Sequence, residues 1–279
     1  MSVEYVTNLD DPRLHPYRGL TSSNLTRWSG RFIAEGRLVV ERLLADEYPV
    51  ESLLVSERRV DEARQLIGDR DLSLLVIDNK LARNVTGYNF HAGWLACGRR
   101  IAPPTLDSLI ARIEAESIRP PLLVACPRST DPDNLGGIIR LCAAFGVQAL
   151  LLGHACADPF SRRTVRVSMG TIFKLPIIES ADLAADLRRL RSEHQYRLTA
   201  TVLDHAAEPL HEARTLRRDV LLLGNETDGL EPTWLDLCDR QLTIPMAGTT
   251  DSLNVTVAAG IVLHWLTTAA AESSTEDRH

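Results

Sequence analysis

Three short stretches carry polar side chains set among apolar ones. The first reads Asp131-Pro-Asp-Asn-Leu-Gly-Gly-Ile-Ile-Arg, with Asn134 ahead of a glycine pair and Arg140 flanked by Ile138, Ile139 and Leu141. The second, Leu221-Leu-Leu-Gly-Asn-Glu-Thr-Asp-Gly-Leu, sets Asn225 and Glu226 just past an apolar run ending in Gly224. The third, 244–263, passes from Ile244 and Pro245 through small polar residues to Ser252 and Asn254, then into an unbroken apolar run. Amides, a carboxylate and a guanidinium orient hydroxyls and phosphates through hydrogen bonds. Buried without a partner they are costly, so each must find one or face a cleft. Glycine at the end of an apolar strand lets a ligand approach the backbone.

Plainer readings stand beside these. Asn254 could bond back to its own loop, Arg140 could snorkel from a surface helix, and Gly-Asn-Glu could be an ordinary turn. Between the first and second stretches, 158–170 places Arg162, Arg163 and Arg166 within five residues. That is a cationic patch suited to phosphates, or a solvated helix face. The common nucleotide fingerprints, the nucleophile elbow and the His-Glu-x-x-His zinc motif are all absent. The five cysteines (97, 126, 142, 156 and 238) form no Cys-x-x-Cys pair, and reduced thiols are expected. His154 and Cys156 lack a second ligand pair, so no metal is expected. What remains is a ligand held by backbone at strand ends: a nucleoside-like cofactor without a pyrophosphate.

The elements that must position these residues follow a βα rhythm after Pro121. Strands are expected over 122–126, 149–152, 175–178, 198–203, 220–223 and 242–244. Helices are expected over 135–145, 161–168, 181–191 and 231–237, and from Ser252, a good N-cap, to 271. Such alternation predicts a mostly parallel sheet covered by helices. Ahead of it, a helix starting near Glu35, strands over 53–55, 74–77 and 94–97, and a helix over 61–67 make a smaller αβ unit. The first thirty residues are expected to wrap the surface. Domains are placed at 1–104 and 121–271, with a linker at 105–120, itself holding a helix from Leu106, and a flexible tail at 272–279.

The chain has 279 residues, 44% of them apolar and 24% charged, a soluble composition. No run approaches the roughly 20 apolar residues needed to span a bilayer. Glu4, Asp10 and Asp11 near the start, without an apolar segment, argue against a signal peptide, so a cytoplasmic location is expected. The net charge of −6 speaks against a general nucleic-acid coat and leaves room for a local basic face.

In order and spacing the three stretches resemble the signature motifs of the SpoU (TrmH) family of RNA ribose 2′-O-methyltransferases, in the SPOUT superfamily. The resemblance covers about 122–263, and Ser-Leu-Asn-Val followed by Thr-Val-Ala-Ala-Gly at 252–260 is its most specific part. Phe-Ile-Ala-Glu-Gly-Arg at 32–37 and His-Ala-Gly-Trp-Leu-Ala at 91–96 resemble the family's L30e-like substrate-binding extension. The resemblance implies an α/β fold, its mostly parallel sheet ending in a C-terminal trefoil knot, with the N-terminal L30e-like domain beside it. It implies S-adenosylmethionine bound in the knot and an obligate homodimer. Carried onto this chain, Leu223, Gly224, Ile244, Met246 and Leu253 would hold the cofactor. Asn134, Arg140, Glu226, Ser252 and Asn254 would form the catalytic and ribose-facing set, and Arg162, Arg163 and Arg166 would take RNA phosphates. Arginine keeps its proton below a pH of about 12, so Arg140 would act together with the RNA phosphate to orient and polarise the hydroxyl. Cys142, Asp228 and Thr256 depart conservatively from the family pattern. The extra N-terminal domain favours ribosomal over transfer RNA. A non-catalytic RNA-binding module is disfavoured by the presence of Arg140 and Asn254, and a nicotinamide-dependent oxidoreductase by the missing glycine fingerprint.

Overall fold

The computed structural model describes residues 2–21, 29–116, 120–213, 218–247 and 252–276. Two compact units are formed, one by residues 1–102 with 158–174 and one by 103–157 with 175–279.

The first unit begins with β1 (Ser2–Val6), β2 (Arg31–Glu35), α1 (Arg37–Leu44), β3 (Val50–Ser56) and α2 (Val60–Ile67). It continues with β4 (Ser73–Ile77), α3 (Asn79–Thr86) and β5 (Trp94–Arg99). The strands form a mixed sheet in the order β1-β4-β3-β5-β2. Three differences from expectation have local causes. The chain start forms an edge strand because β1 pairs in parallel with β4 through its backbone, while Val6 alone of its side chains is buried. Phe32 to Glu35 form a strand, buried throughout, that was not among the expected elements, and Gly36 at φ 97° separates it from α1, which starts two residues past Glu35. The third helix, absent from the expected elements, has only Leu81, Ala82 and Val85 as apolar residues but a defined start: Asp78 accepts from the amides of Lys80 and Leu81.

The second unit opens with α4 (Leu106–Glu116), β6 (Leu122–Cys126), α5 (Pro132–Ala144) and β7 (Ala149–Leu152). The chain then contributes α6 (Arg162–Val167) to the first unit, where Phe160 and Phe173 pack on Phe32 with ring centroids 5.3 and 5.5 Å away. It returns through β8 (Ile177–Glu179), α7 (Leu183–Ser192), β9 (Arg197–Thr201), β10 (Glu208–Pro209) and β11 (Asp219–Leu222). It ends with α8 (Pro232–Leu235), β12 (Arg240–Thr243) and α9 (Val255–Glu276). Helix α4 lies where a linker was expected, yet Leu106, Leu109, Ile110 and Ile113 share one core with Leu123, Leu151, Leu198 and Val220. Burying four such side chains, each worth about 1.5–3 kcal/mol, makes α4 part of the unit rather than a tether. Helix α9 likewise runs past Ala271, where the tail was expected, to Glu276.

The second sheet is parallel throughout, in the order β10-β12-β9-β11-β6-β7-β8. Its central strands read as continuous apolar runs because both faces are covered: β6, β7 and β11 are buried at every residue. From β6 the chain builds outwards through β7 and β8, while β11 and β9 lie on its other side. That reversal at β6 opens a crevice at the carboxyl ends of the strands. All five cysteines are free thiols. Among the described residues no cluster of His, Cys, Asp and Glu could hold a metal, and no helix is long and apolar enough to cross a membrane.

Candidate functional site

Each polar stretch emerges from a strand end at this crevice. After β6, Asp131 caps α5 by accepting from the amide of Asp133 at 2.8 Å, and Pro132 fills the first helical position. Asn134 therefore sits in the first turn. After β11, Asn225 and Gly229 exchange two backbone bonds of 2.9 and 3.0 Å, with Gly229 at φ 69°. Gly224 packs on this turn so closely that a Cβ there would lie 2.6 Å from the Gly229 carbonyl carbon. Ahead of α9, the carbonyl of Asn254 accepts from Ala258 at 3.0 Å and its Oδ1 accepts from the Thr256 amide at 2.8 Å. Asn254 is thus the N-cap, the role expected of Ser252. The first helical carbonyl belongs to Asn254, so the cap falls there, two residues beyond an exposed Ser252.

The three stretches meet. Asn254 Nδ2 donates to Asn134 Oδ1 at 3.0 Å, and Asn134 Nδ2 donates to Glu226 Oε1 at 2.9 Å. Thr256 Oγ1 lies 3.4 Å from both the carbonyl and Oδ1 of Asn134. The approach of α5 to α9 needs Gly137, whose added Cβ would sit 2.6 Å from the Thr256 methyl. Arg140 is exposed and, six residues on, lies roughly a third of a turn round α5 from Asn134. Among the described residues, no hydrogen bond joins it to this amide chain.

Beside the amide chain, the ends of β9, β11 and β12 surround a cavity of about 400 Å³. Gly224, Ile244, Met246 and Leu253 line it, with Leu223 buried immediately behind. The neighbours of the polar set, Asn225 and Val255, line it too. Sequence reasoning missed Thr201, Leu203, Asp204, Leu235 and Gln241, which complete the walls. The signal for Thr201 to Asp204 was available: they close a strand of the same parallel sheet, where such sheets bind ligands. At the rim, Arg128 forms an ion pair with Asp228, tying the loop after β6 to the loop after β11.

Residues 121–264 match the family model described as "SpoU rRNA Methylase family". The chain belongs to the SpoU rRNA methylase family. An uncharacterised tRNA/rRNA methyltransferase of Mycobacterium bovis is 33% identical over 95% of this chain and 91% of its own length. The 23S rRNA (guanosine-2′-O-)-methyltransferase RlmB of Acinetobacter baylyi is 28% identical over 75% of this chain and 83% of its own. Among solved structures, the SpoU methyltransferase AviRb of Streptomyces viridochromogenes, in complex with its cofactor AdoMet, superposes with a TM-score of 0.79. It is 26% identical, covering 94% of this chain and 100% of that one.

In this SpoU chain the three arginines singled out above lie on α6, in the first compact unit. Arg162 is ion-paired with the buried Glu35, and its guanidinium lies 4.6 Å from the centre of the Tyr88 ring. Burial first, and then the Glu35 carboxylate, push the Tyr88 phenol well above its ordinary pKa. Arg166, whose Nη1 is 3.8 Å from the same carboxylate, and Arg163 are exposed. The Ser161 side chain caps α6 by accepting from the Thr164 amide.

Proposed function

We propose that this methyltransferase moves a methyl group from S-adenosylmethionine to a ribose 2′-hydroxyl of RNA, ribosomal RNA in preference to transfer RNA. The observation that carries the reading is the chain of amides from Asn254 through Asn134 to Glu226, drawn from three loops beside a cavity of nucleoside size. The activity named for RlmB and the AdoMet held by AviRb support it.

The cavity suits the cofactor. Apolar walls from Leu235, Ile244 and Leu253 would take a purine, and Gly224 leaves backbone within reach. Leu223 and Met246 would contribute backbone there. The bound cofactor supplies an electrophilic methyl on sulfur. The protein's task is to align the hydroxyl oxygen with that methyl and to ease the loss of its proton. Asn134 and Asn254 each spend one N–H within the amide chain and retain a second for a ribose or phosphate oxygen. Glu226 spends its carboxylate on holding Asn134, and Ser252 holds the loop ahead of the cap. Arg140, exposed beside this set, acts with an RNA phosphate to orient and polarise the hydroxyl.

The trefoil knot belongs to the same proposal, supported by β12 lying between β9 and β10 while the chain beyond it returns to the loops of β6 and β11. The first unit acts as an L30e-like RNA-binding domain, in which Arg163 and Arg166 offer exposed charge and Arg162 anchors their helix. A homodimer is supported by Val257 and Ile261, exposed apolar side chains one turn apart on α9. A cytoplasmic location follows from the RNA substrate.

The test is methyl transfer from radiolabelled S-adenosylmethionine to total RNA of a host lacking this protein, followed by mapping. The expected product is one 2′-O-methylated ribosomal nucleotide. Label on a base, or bound cofactor with no label in RNA, would sink the reading.

A further inference from the structure

Asn225 follows Gly224 and belongs to no expected catalytic set, yet its side chain is held at both ends. Its Oδ1 accepts from the Thr227 amide at 3.0 Å, an Asx turn inside the loop closed by Gly229. Since that oxygen must be the acceptor, the amide's other end must be the donor, and Nδ2 donates to Glu226 Oε2 at 2.8 Å. The opposite oxygen of the same carboxylate takes the bond from Asn134. At the far end of the chain, Asn254 Oδ1 is committed to the Thr256 backbone N–H, which can only donate. A fixed donor at one end and a fixed acceptor at the other leave one direction for every bond between. Asn225 clamps the acceptor end.

We propose that Asn225 is a positioning residue for methyl transfer: it holds the Glu226 carboxylate in place as the acceptor on which the Asn254–Asn134–Glu226 chain closes. Glu226 then acts as an anchored acceptor that orients Asn134. This rests on the methyltransferase reading above and adds to it a residue of the cavity wall that acts through Glu226 and Asn134.

Two substitutions separate positioning from loop folding. Asn225→Ser keeps a side-chain acceptor for the Thr227 amide but has no donor that reaches Glu226. It should lower kcat by up to about a hundredfold, the cost of a misplacement near 1 Å, a loss larger than any change in affinity for S-adenosylhomocysteine. Asn225→Asp also keeps the turn but faces Glu226 with a second carboxylate, and two carboxylates so close cannot both ionise. A proton shared at low pH restores the bond, so the Asn225→Asp enzyme should regain activity as pH falls and lose it as pH rises, relative to the wild type. The measurement is the pH profile of kcat for all three enzymes, with S-adenosylhomocysteine titrations by calorimetry. Wild-type kcat in the Asn225→Ser enzyme, or an Asn225→Asp profile parallel to the wild type, would overturn the proposal and leave the methyltransferase reading intact. A wild-type enzyme that binds the cofactor but methylates no RNA would remove both.

Discussion

Two groups of polar side chains, one in each compact unit, bring together residues about a hundred positions apart, and they use their polarity in opposite ways. In the second unit, Asn134, Glu226 and Asn254 form an exposed chain of neutral amides closed on one carboxylate. In the first unit, Glu35, Arg162 and Tyr88 bury a charge pair under an aromatic ring. The amide chain satisfies its own needs and keeps N–H groups to spare for a ligand. The ion pair is consumed internally, since Glu35 is only 7% exposed and Arg162 must neutralise it. A site offers unspent valence and a clamp does not. On α6, Arg162 is the clamp, while Arg163 and Arg166 lie exposed.

The largest effect is expected from Arg140→Ala, which should lower methyl transfer by about 10²–10³-fold while S-adenosylhomocysteine still binds. Loss of cofactor binding in the same titration would make Arg140 a structural residue. Next, Glu35→Gln strands the Arg162 charge and should cost about 3 kcal/mol in urea unfolding, the low end for a broken buried pair, with little change in cofactor affinity. A smaller loss shows the pair to be superficial. Asn254→Ala removes a helix cap worth about 1 kcal/mol and one link of the amide chain. Its kcat should fall by more than that stability loss explains. For the arginines, the readout is the salt dependence of RNA binding. Replacing Arg163 and Arg166 should each reduce the slope by about one unit, whereas Arg162→Ala should lower stability and spare the slope. The smallest effect is expected at the rim, where the exposed Arg128–Asp228 pair is worth at most about 1 kcal/mol, so Asp228→Asn should barely move the unfolding midpoint.

Much of the second unit was legible because parallel strands buried on both faces write themselves as apolar runs, as at 122–126, 149–152 and 220–223. The first unit was harder to read. Phe32 to Glu35 has the composition of either a strand or a buried helix, and the glycine that separates it from α1 matters through its backbone angle. At the site, the residue types were visible but not their roles: Ser252 looked the better cap, and Asn225 passed for part of a turn.

By itself, then, the sequence determined which residues are polar where polarity is costly, where parallel strands end, and which family the motifs resemble. Those follow from local composition and spacing. The tertiary structure decided that Asn254 rather than Ser252 caps α9, that residues 158–174 belong to the first unit, and that Arg162 is spent on Glu35. The Arg162–Glu35 pair spans 127 residues, and the bonds that join Asn134 to Glu226 and to Asn254 span 92 and 120. A hydrogen bond's direction is set only when both ends of its chain are in place.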